Sequence, residues 1–137
     1  MQIQPYLYFN GNCDEAIAFY RAALGAEQVM LMRYHDCPEP LDPARVPPDM
    51  ADKVMHASLR IGESVILLAD GCGIGQVGFQ GFNLTLTVRD EAEADRAFTA
   101  LTEGGKVQMA LAKTFFSPRF GMALDRFGVG WIVYVAA

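Results

Sequence analysis

The sequence predicts an α+β protein built from two copies of a β-α-β-β-β module. The first observation is an internal repeat, in which "YLYFNGNCDEAIAFYRAALGAEQVM" aligns with "LTLTVRDEAEADRAFTALTEGGKVQM", so that Leu7 matches Leu86. The second is that each copy begins with an apolar run and continues with a helix-start signal. The third is that each copy ends in two apolar runs separated by a tight turn, at Gly62 or at Gly128.

Each predicted helix begins with a polar side chain that is followed three residues later by a glutamate. The two pairs are Asn12 with Glu15, and Asp90 with Glu93. In this capping-box spacing, the first side chain accepts a hydrogen bond from the third amide and the glutamate reaches back. Apolar residues then recur at helical spacing until a glycine, which is the usual stop signal.

The remaining apolar runs are short and bounded by turn residues, which is typical of strands. The strands are expected at 3–9, 27–34, 54–61, 64–69, 82–88, 106–112, 116–124 and 129–136, and the helices at 13–24 and 91–103. The repeated Arg-Phe-Gly at 126–128 then lies in a hairpin turn, where turn chemistry accounts for it without a ligand.

One domain of residues 1–137 is expected, with a first module at 1–72, a second at 80–137 and a linker at 73–79. The linker contains "GIGQVG", which fits the dinucleotide pattern G-x-G-x-x-G. A strand rather than a helix is expected to follow, so no helix N-terminus is available for a pyrophosphate. Only the first module carries the proline-rich "HDCPEPLDPARVPPDM" at 35–50, which is expected to be an exposed loop.

Composition limits the classes of partner. The 11 basic and 16 acidic residues leave a net charge of −5, which argues against a nucleic acid partner. No apolar run is long enough to span a bilayer, and "MQIQPYLYFNG" lacks the basic start of a signal peptide. We therefore expect no membrane partner and a cytoplasmic location. The 3 cysteines are an odd number at irregular spacing, which favours reduced thiols.

Three segments, "PYLYFNGNCDEAIAFY", "DKVMHASLRIGESVILLAD" and "RFGMALDRFGVGW", resemble the PhnB-like branch of the vicinal oxygen chelate superfamily. That superfamily includes glyoxalase I, extradiol dioxygenases and bleomycin resistance proteins. The resemblance implies that the two βαβββ modules form a half-barrel pair of the glyoxalase/bleomycin-resistance type with a ligand cavity on the concave faces. It also implies a homodimer, because members of the superfamily commonly pair modules edge to edge or across two chains.

The resemblance also indicates where a metal would be held. Metal enzymes of the superfamily use four His, Gln or Glu ligands, and the matching positions here are Pro5, His56, Asn83 and Ile132. Only His56 is a good ligand, so no bound metal is predicted. The branch also carries a demethylubiquinone methyltransferase label, but no glycine-rich strand-to-helix turn is present to hold S-adenosylmethionine. No cofactor is therefore expected.

Strand alternation selects the side chains that are expected to line the cavity, because successive residues point to opposite faces. The candidates are His56, Ser58, Arg60, Asn83, Thr85, Thr87 and Tyr134. One imidazole, one guanidinium and several hydroxyls in an apolar wall fit a small anionic or polar organic molecule. Arg119, near a strand end, is a further candidate for binding a carboxylate or phosphate.

Each candidate also has a structural interpretation. His56 is a weak candidate for a general base and can equally be a hydrogen-bonded structural histidine. The arginines can bind a carboxylate or can be paired with acidic side chains. Asp125 is expected to make the hairpin turn, and Cys13 lies where a helix dipole lowers a thiol pKa. Two function classes remain open: a protein that binds a small molecule, and a metal-independent enzyme such as a lyase, isomerase or transferase.

Overall fold

The computed structural model describes residues 1–71 and 78–136. The chain divides into two compact units, Met1–Val77 and Gly78–Ala137. Most of the predicted linker, with Cys72 and nearly all of "GIGQVG", lies outside the described residues. No helix in the described residues is long and apolar enough to cross a membrane.

The first unit is one four-stranded sheet with a helix on one face. Its elements are β1 (Tyr6–Phe9), α1 (Cys13–Leu24), β2 (Glu27–Arg33), β3 (Val54–Ile61) and β4 (Ser64–Asp70), with short 3₁₀ helices at Tyr34–Asp36 and Pro48–Met50. The strand order is β1-β4-β3-β2. Strand β1 runs parallel to β4, and the other neighbours are antiparallel.

The second unit repeats this arrangement. Its elements are β5 (Leu84–Val88), α2 (Glu91–Thr102), β6 (Lys106–Ala112), β7 (Phe120–Leu124) and β8 (Gly130–Val135), and the strand order is β5-β8-β7-β6. The predicted α+β class with two βαβββ modules is confirmed. Strand β7 begins at Phe120 instead of at residue 116, because residues 114–117 form a turn in which the Thr114 hydroxyl accepts from the Ser117 amide at 3.0 Å.

The start of α1 differs from the prediction. Asn12 makes no side-chain capping bond, whereas Asp90 caps α2 as expected by accepting from the Glu93 amide at 2.8 Å. At α1 the role passes to Asp70, a fully buried residue at the end of β4. Its two carboxylate oxygens accept from the backbone amides of Cys13 at 3.0 Å and Val54 at 3.1 Å. One buried carboxylate therefore joins the helix to two strands.

A second buried carboxylate shapes the hairpin between β7 and β8. Asp125 accepts from the amides of Phe127 at 2.9 Å and Val129 at 3.0 Å, and from the indole Nε1 of Trp131 at 2.9 Å. This confirms that Asp125 makes the turn. Arg126 is exposed, and its guanidinium donates to the carbonyl of Glu103 at the end of α2. Phe127, in the same turn, is half-buried.

We predict that Trp131→Ala lowers the free energy of unfolding by about 3–5 kcal/mol, because it removes a large buried side chain and leaves Asp125 without its indole donor. Urea denaturation followed by circular dichroism measures this. The control is Arg126→Ala, which should cost about 0.5 kcal/mol as a surface change. Equal losses in the two variants would contradict the buried role of the indole.

Candidate functional site

In each sheet, one face packs under the helix and the other face is open. In the first unit, Leu7 and Leu59 are buried on the helix side. Tyr6 and Tyr8 alternate with the buried residues of β1 and are 38% and 40% exposed. His56, Ser58 and Arg60 alternate in the same way with the buried residues of β3. The open face therefore carries two phenol rings beside one imidazole, one serine hydroxyl and one guanidinium.

The imidazole of His56 has a partner that the sequence interpretation did not identify. The Tyr6 hydroxyl lies 2.8 Å from the Nδ1 atom of His56, and the Tyr6 ring stacks on Tyr8 at a centroid distance of 4.9 Å. Burial raises the pKa of Tyr6 above its ordinary value, and Tyr8 and Cys13 add to the shift. The phenol is therefore neutral at physiological pH, and a neutral phenol in contact with an imidazole can act in proton transfer.

The signal for this contact was available in the strand pairing. Tyr6 pairs with Leu67 of β4, and Leu67 pairs with Ser58 of β3. His56, two positions before Ser58 on the same face of β3, then lies within reach of the long side chain of Tyr6 on β1. Finding it required knowing that β4 lies between β1 and β3, and strand alternation alone does not give that order.

Both candidate arginines form ion pairs. Arg60 lies on the open face of the first unit, where its Nη1 atom is 3.2 Å from the Glu27 carboxylate. Arg119 instead precedes β7, two residues before the buried Gly121, and pairs with Asp95 of α2 at 2.9 Å. Arg119 therefore lies on the helix side of its sheet, and the structure does not bring it to the face that carries Tyr134.

The open face of the second unit has no charged side chain at its centre. Thr85 is in register with Ile132, and Thr87 with Tyr134, so these four residues form adjacent pairs across β5 and β8. Both threonines are exposed, and Tyr134 is half-buried. Asn83 lies at the edge of this group, where its side chain packs against the backbone of Gly130 so closely that no Cβ fits there.

Cys13 differs from the expectation of a lowered thiol pKa. The residue is fully buried, and burial, followed by the nearby charges of Asp70 and Asp14, raises its pKa well above the ordinary value. Desolvation and two carboxylates thus outweigh the helix dipole. Because only the thiolate is a strong nucleophile, Cys13 is a structural residue.

Within residues 1–71 and 78–136, no group of three His, Cys, Asp or Glu side chains comes together to hold a metal ion. His56 occupies one of the four superfamily positions. Its neighbour there is the Tyr6 hydroxyl. Absence of a bound metal remains a prediction.

Comparisons with known proteins identify the chain's relatives. The sequence model of the family described as 3-demethylubiquinone-9 3-methyltransferase matches residues 1–134. Protein YjdN from Escherichia coli K12 is 36% identical over 142 residues, which cover 98% of this chain and 95% of YjdN. The crystal structure of protein PA1353 from Pseudomonas aeruginosa is 42% identical, with a TM-score of 0.86 over 99% of this chain and 98% of that one.

More distant structures show the fold alone. A glyoxylase/bleomycin resistance protein/dioxygenase domain from Frankia sp. EAN1pec has a TM-score of 0.68 at 13% identity, covering 99% of this chain and 95% of that chain. The fold predicted from the resemblance is therefore confirmed.

The methyltransferase description implies S-adenosylmethionine, and the helix starts allow a test of fit. Cofactors of this kind are commonly held at a glycine-rich turn from a strand into a free helix N-terminus. Here the first amide of α1 already donates to the Asp70 carboxylate. In α2, the amide of Glu93 already donates to the Asp90 carboxylate. The two strand-to-helix turns contain a single glycine, Gly11, whose carbonyl accepts from Lys53. These residues do not fit such a site.

We predict that iodoacetamide modifies Cys37 roughly a hundredfold or more faster than Cys13 in the native protein, because Cys13 is buried and its thiol stays protonated. Peptide mass spectrometry after timed alkylation at pH 8 measures both rates. In urea the two rates should become similar. Equal rates in the native protein would show that Cys13 is accessible.

Proposed function

The chain belongs to the family described as 3-demethylubiquinone-9 3-methyltransferase, and we propose that it binds a small organic molecule at the open sheet faces. Within that family it is PhnB-like, and it has the glyoxalase/bleomycin resistance fold. The observation that carries this proposal is the pair formed by Tyr6 and His56, whose polar atoms meet on a face that no helix of their unit covers. We further propose that residues 1–137 form a single domain.

The chemistry of the faces supports binding of a small molecule. A binding site typically combines a mostly apolar surface with a few fixed polar groups. The proposed contact groups are His56, Ser58 and Arg60 in the first unit and Asn83, Thr85, Thr87 and Tyr134 in the second. The stacked ring of Tyr8 limits the motion of Tyr6, which in turn orients the imidazole.

The second candidate is a metal-independent enzyme, and the same hydrogen bond favours it. A neutral phenol at 2.8 Å from an imidazole is a suitable general acid–base pair. For an enzyme, Tyr6→Phe should lower kcat with little change in KM, because it removes a proton donor and keeps the ring. For a binding protein, the ligand is recovered chemically unchanged from both the natural chain and the variant.

We also propose a cytoplasmic location and a homodimer. The homodimer is supported by the outer strands β2 and β6. Val29 is 51% exposed at the bulge of β2, and Val107 and Met109 are 54% and 50% exposed on either side of the bulge of β6. Exposed edge strands with apolar side chains favour pairing with another chain.

We predict that benzamide and benzoate, used as probes at millimolar concentration, shift the NMR signals of His56, Ser58, Thr85, Thr87 and Tyr134 more than those of α1 and α2. His56→Ala should weaken the binding of any probe that shifts His56 by about threefold or more, because one hydrogen bond contributes about 1 kcal/mol. The matched control is His35→Ala, which removes the other histidine of the chain and should leave binding unchanged. Shifts spread evenly over the surface would refute the proposed site.

We predict that sedimentation equilibrium at micromolar concentration gives twice the chain mass of 15.0 kDa. Met109→Lys on β6 should weaken the dimer, because it places a charge on an apolar strand edge. Thr99→Lys adds the same charge on the exposed face of α2 and serves as the control. A single 15.0 kDa species for the natural chain would exclude the dimer.

A further inference from the structure

Four aromatic rings form a continuous row on the second unit. Phe115 contacts Phe116 at a centroid distance of 5.1 Å, Phe116 contacts Phe120 at 5.1 Å, and Phe120 contacts Tyr134 at 6.4 Å. The first two contacts are edge-to-face, with interplanar angles of 81° and 78°. These residues are called the aromatic row below. The row starts in the turn before β7 and ends on the open face of β8.

The outer end of the aromatic row is exposed to solvent. Phe115 is fully exposed and Phe116 is 43% exposed. Leaving two neighbouring phenyl rings in water is unfavourable, because burying apolar surface lowers the free energy. A cluster of exposed apolar side chains of this kind marks a binding surface more often than scattered single residues do.

The turn that carries these rings is held in place. The Thr114 hydroxyl accepts from the amides of Phe116 at 3.3 Å and Ser117 at 3.0 Å, and the Thr114 amide donates to the Ser117 carbonyl at 2.8 Å. Ser117 is buried, and its hydroxyl donates to the carbonyl of Val135 at the end of β8. The phenyl rings are therefore presented by an ordered turn, which lowers the entropy lost when a ligand binds.

The surroundings of the aromatic row indicate a neutral ligand. The neighbouring side chains on the open face are Thr87, Met122 and Ile132, none of which carries a charge. Arg119, the nearest arginine in sequence, is paired with Asp95 on the helix side of the sheet. In the part of the chain that the structure describes, the Tyr134 hydroxyl has no hydrogen-bond partner, so it is available to a polar substituent.

The exposed part of the aromatic row is too small to form a protein interface by itself. An aromatic side chain buries about 150–250 Å², so Phe115 and Phe116 together supply roughly 300–500 Å². A stable protein interface needs about 800 Å² from each partner. A small molecule needs far less, and a further ring extends the edge-to-face row in the geometry that aromatic pairs prefer.

We propose that the aromatic row is the part of the binding face that selects the ligand, and that it takes a neutral, planar aromatic compound with a hydrogen-bonding substituent directed at Tyr134. This inference rests on the proposed function, since it names the ligand class for the same face. The planar ring packs against Phe116 and Phe120, and the substituent exchanges a hydrogen bond with the phenol of Tyr134.

The test compares 2-naphthol with decahydro-2-naphthol, which has the same carbon skeleton and hydroxyl group but no aromatic ring. NMR titration of the full chain should show that 2-naphthol shifts Phe120, Tyr134 and Thr87 and binds about fivefold or more tightly than the saturated alcohol. Phe116→Ala should weaken 2-naphthol binding roughly three- to tenfold, as expected for the loss of one aromatic contact.

The matched control is Phe82→Ala, because Phe82 is 46% exposed in the same unit but lies outside the aromatic row, and this variant should bind 2-naphthol normally. Phe115→Ala provides a second variant, since a fully exposed side chain does not contribute to folding. It should also weaken binding of 2-naphthol.

Two results would overturn the inference and leave the proposed function intact. One is equal affinity for the two alcohols at this face. The other is a change in the Phe115 and Phe116 signals with protein concentration in the absence of probe. That change would show that a second copy of the chain covers the aromatic row. If neither alcohol nor the benzamide and benzoate probes shift any open-face signal, the proposed function itself fails.

Discussion

The buried carboxylate of Asp70 is the interaction on which the first unit depends. It accepts hydrogen bonds from the start of α1 and from the start of β3, and it is itself the last residue of β4. The Tyr34 hydroxyl donates to its backbone carbonyl at 2.6 Å. A buried carboxyl group is tolerated only when its oxygens have hydrogen-bond partners, so the helix and strands must meet in one arrangement. That arrangement places α1 on one face of the sheet.

Covering one face determines the chemistry of the other. The apolar residues of each strand are used under the helix, and the alternating positions are left for side chains that do not build the core. In the first unit these positions hold Tyr6 and His56, and in the second they hold Thr87 and Tyr134. The candidate site is therefore a consequence of strand alternation combined with a helix on only one side.

Much of the fold was predictable because its signals are local. Repeated apolar runs, helix periodicity and glycine turns predicted the order of the eight strands and two α-helices that the structure describes, with small errors at their ends. The errors have a common cause. Asn12 was predicted to cap α1, but the buried Asp70 accepts from its first amide instead. Cys13 was predicted to have a lowered thiol pKa, but its burial beside Asp70 raises that pKa. The partner of His56 was missed for the same reason, because strand order is a tertiary property.

The position of Asp70 also bears on how each segment is stabilised. The two amides that its carboxylate satisfies, those of Cys13 and Val54, belong to the same βαβββ segment. In the second segment, Asp125 likewise accepts from Phe127 and Val129 nearby. Each segment therefore contains the hydrogen-bond partners of its own buried carboxyl group. The two groups lie at different places in the repeat, the end of β4 and the turn between β7 and β8, so each segment is stabilised from within and its open face can diverge independently.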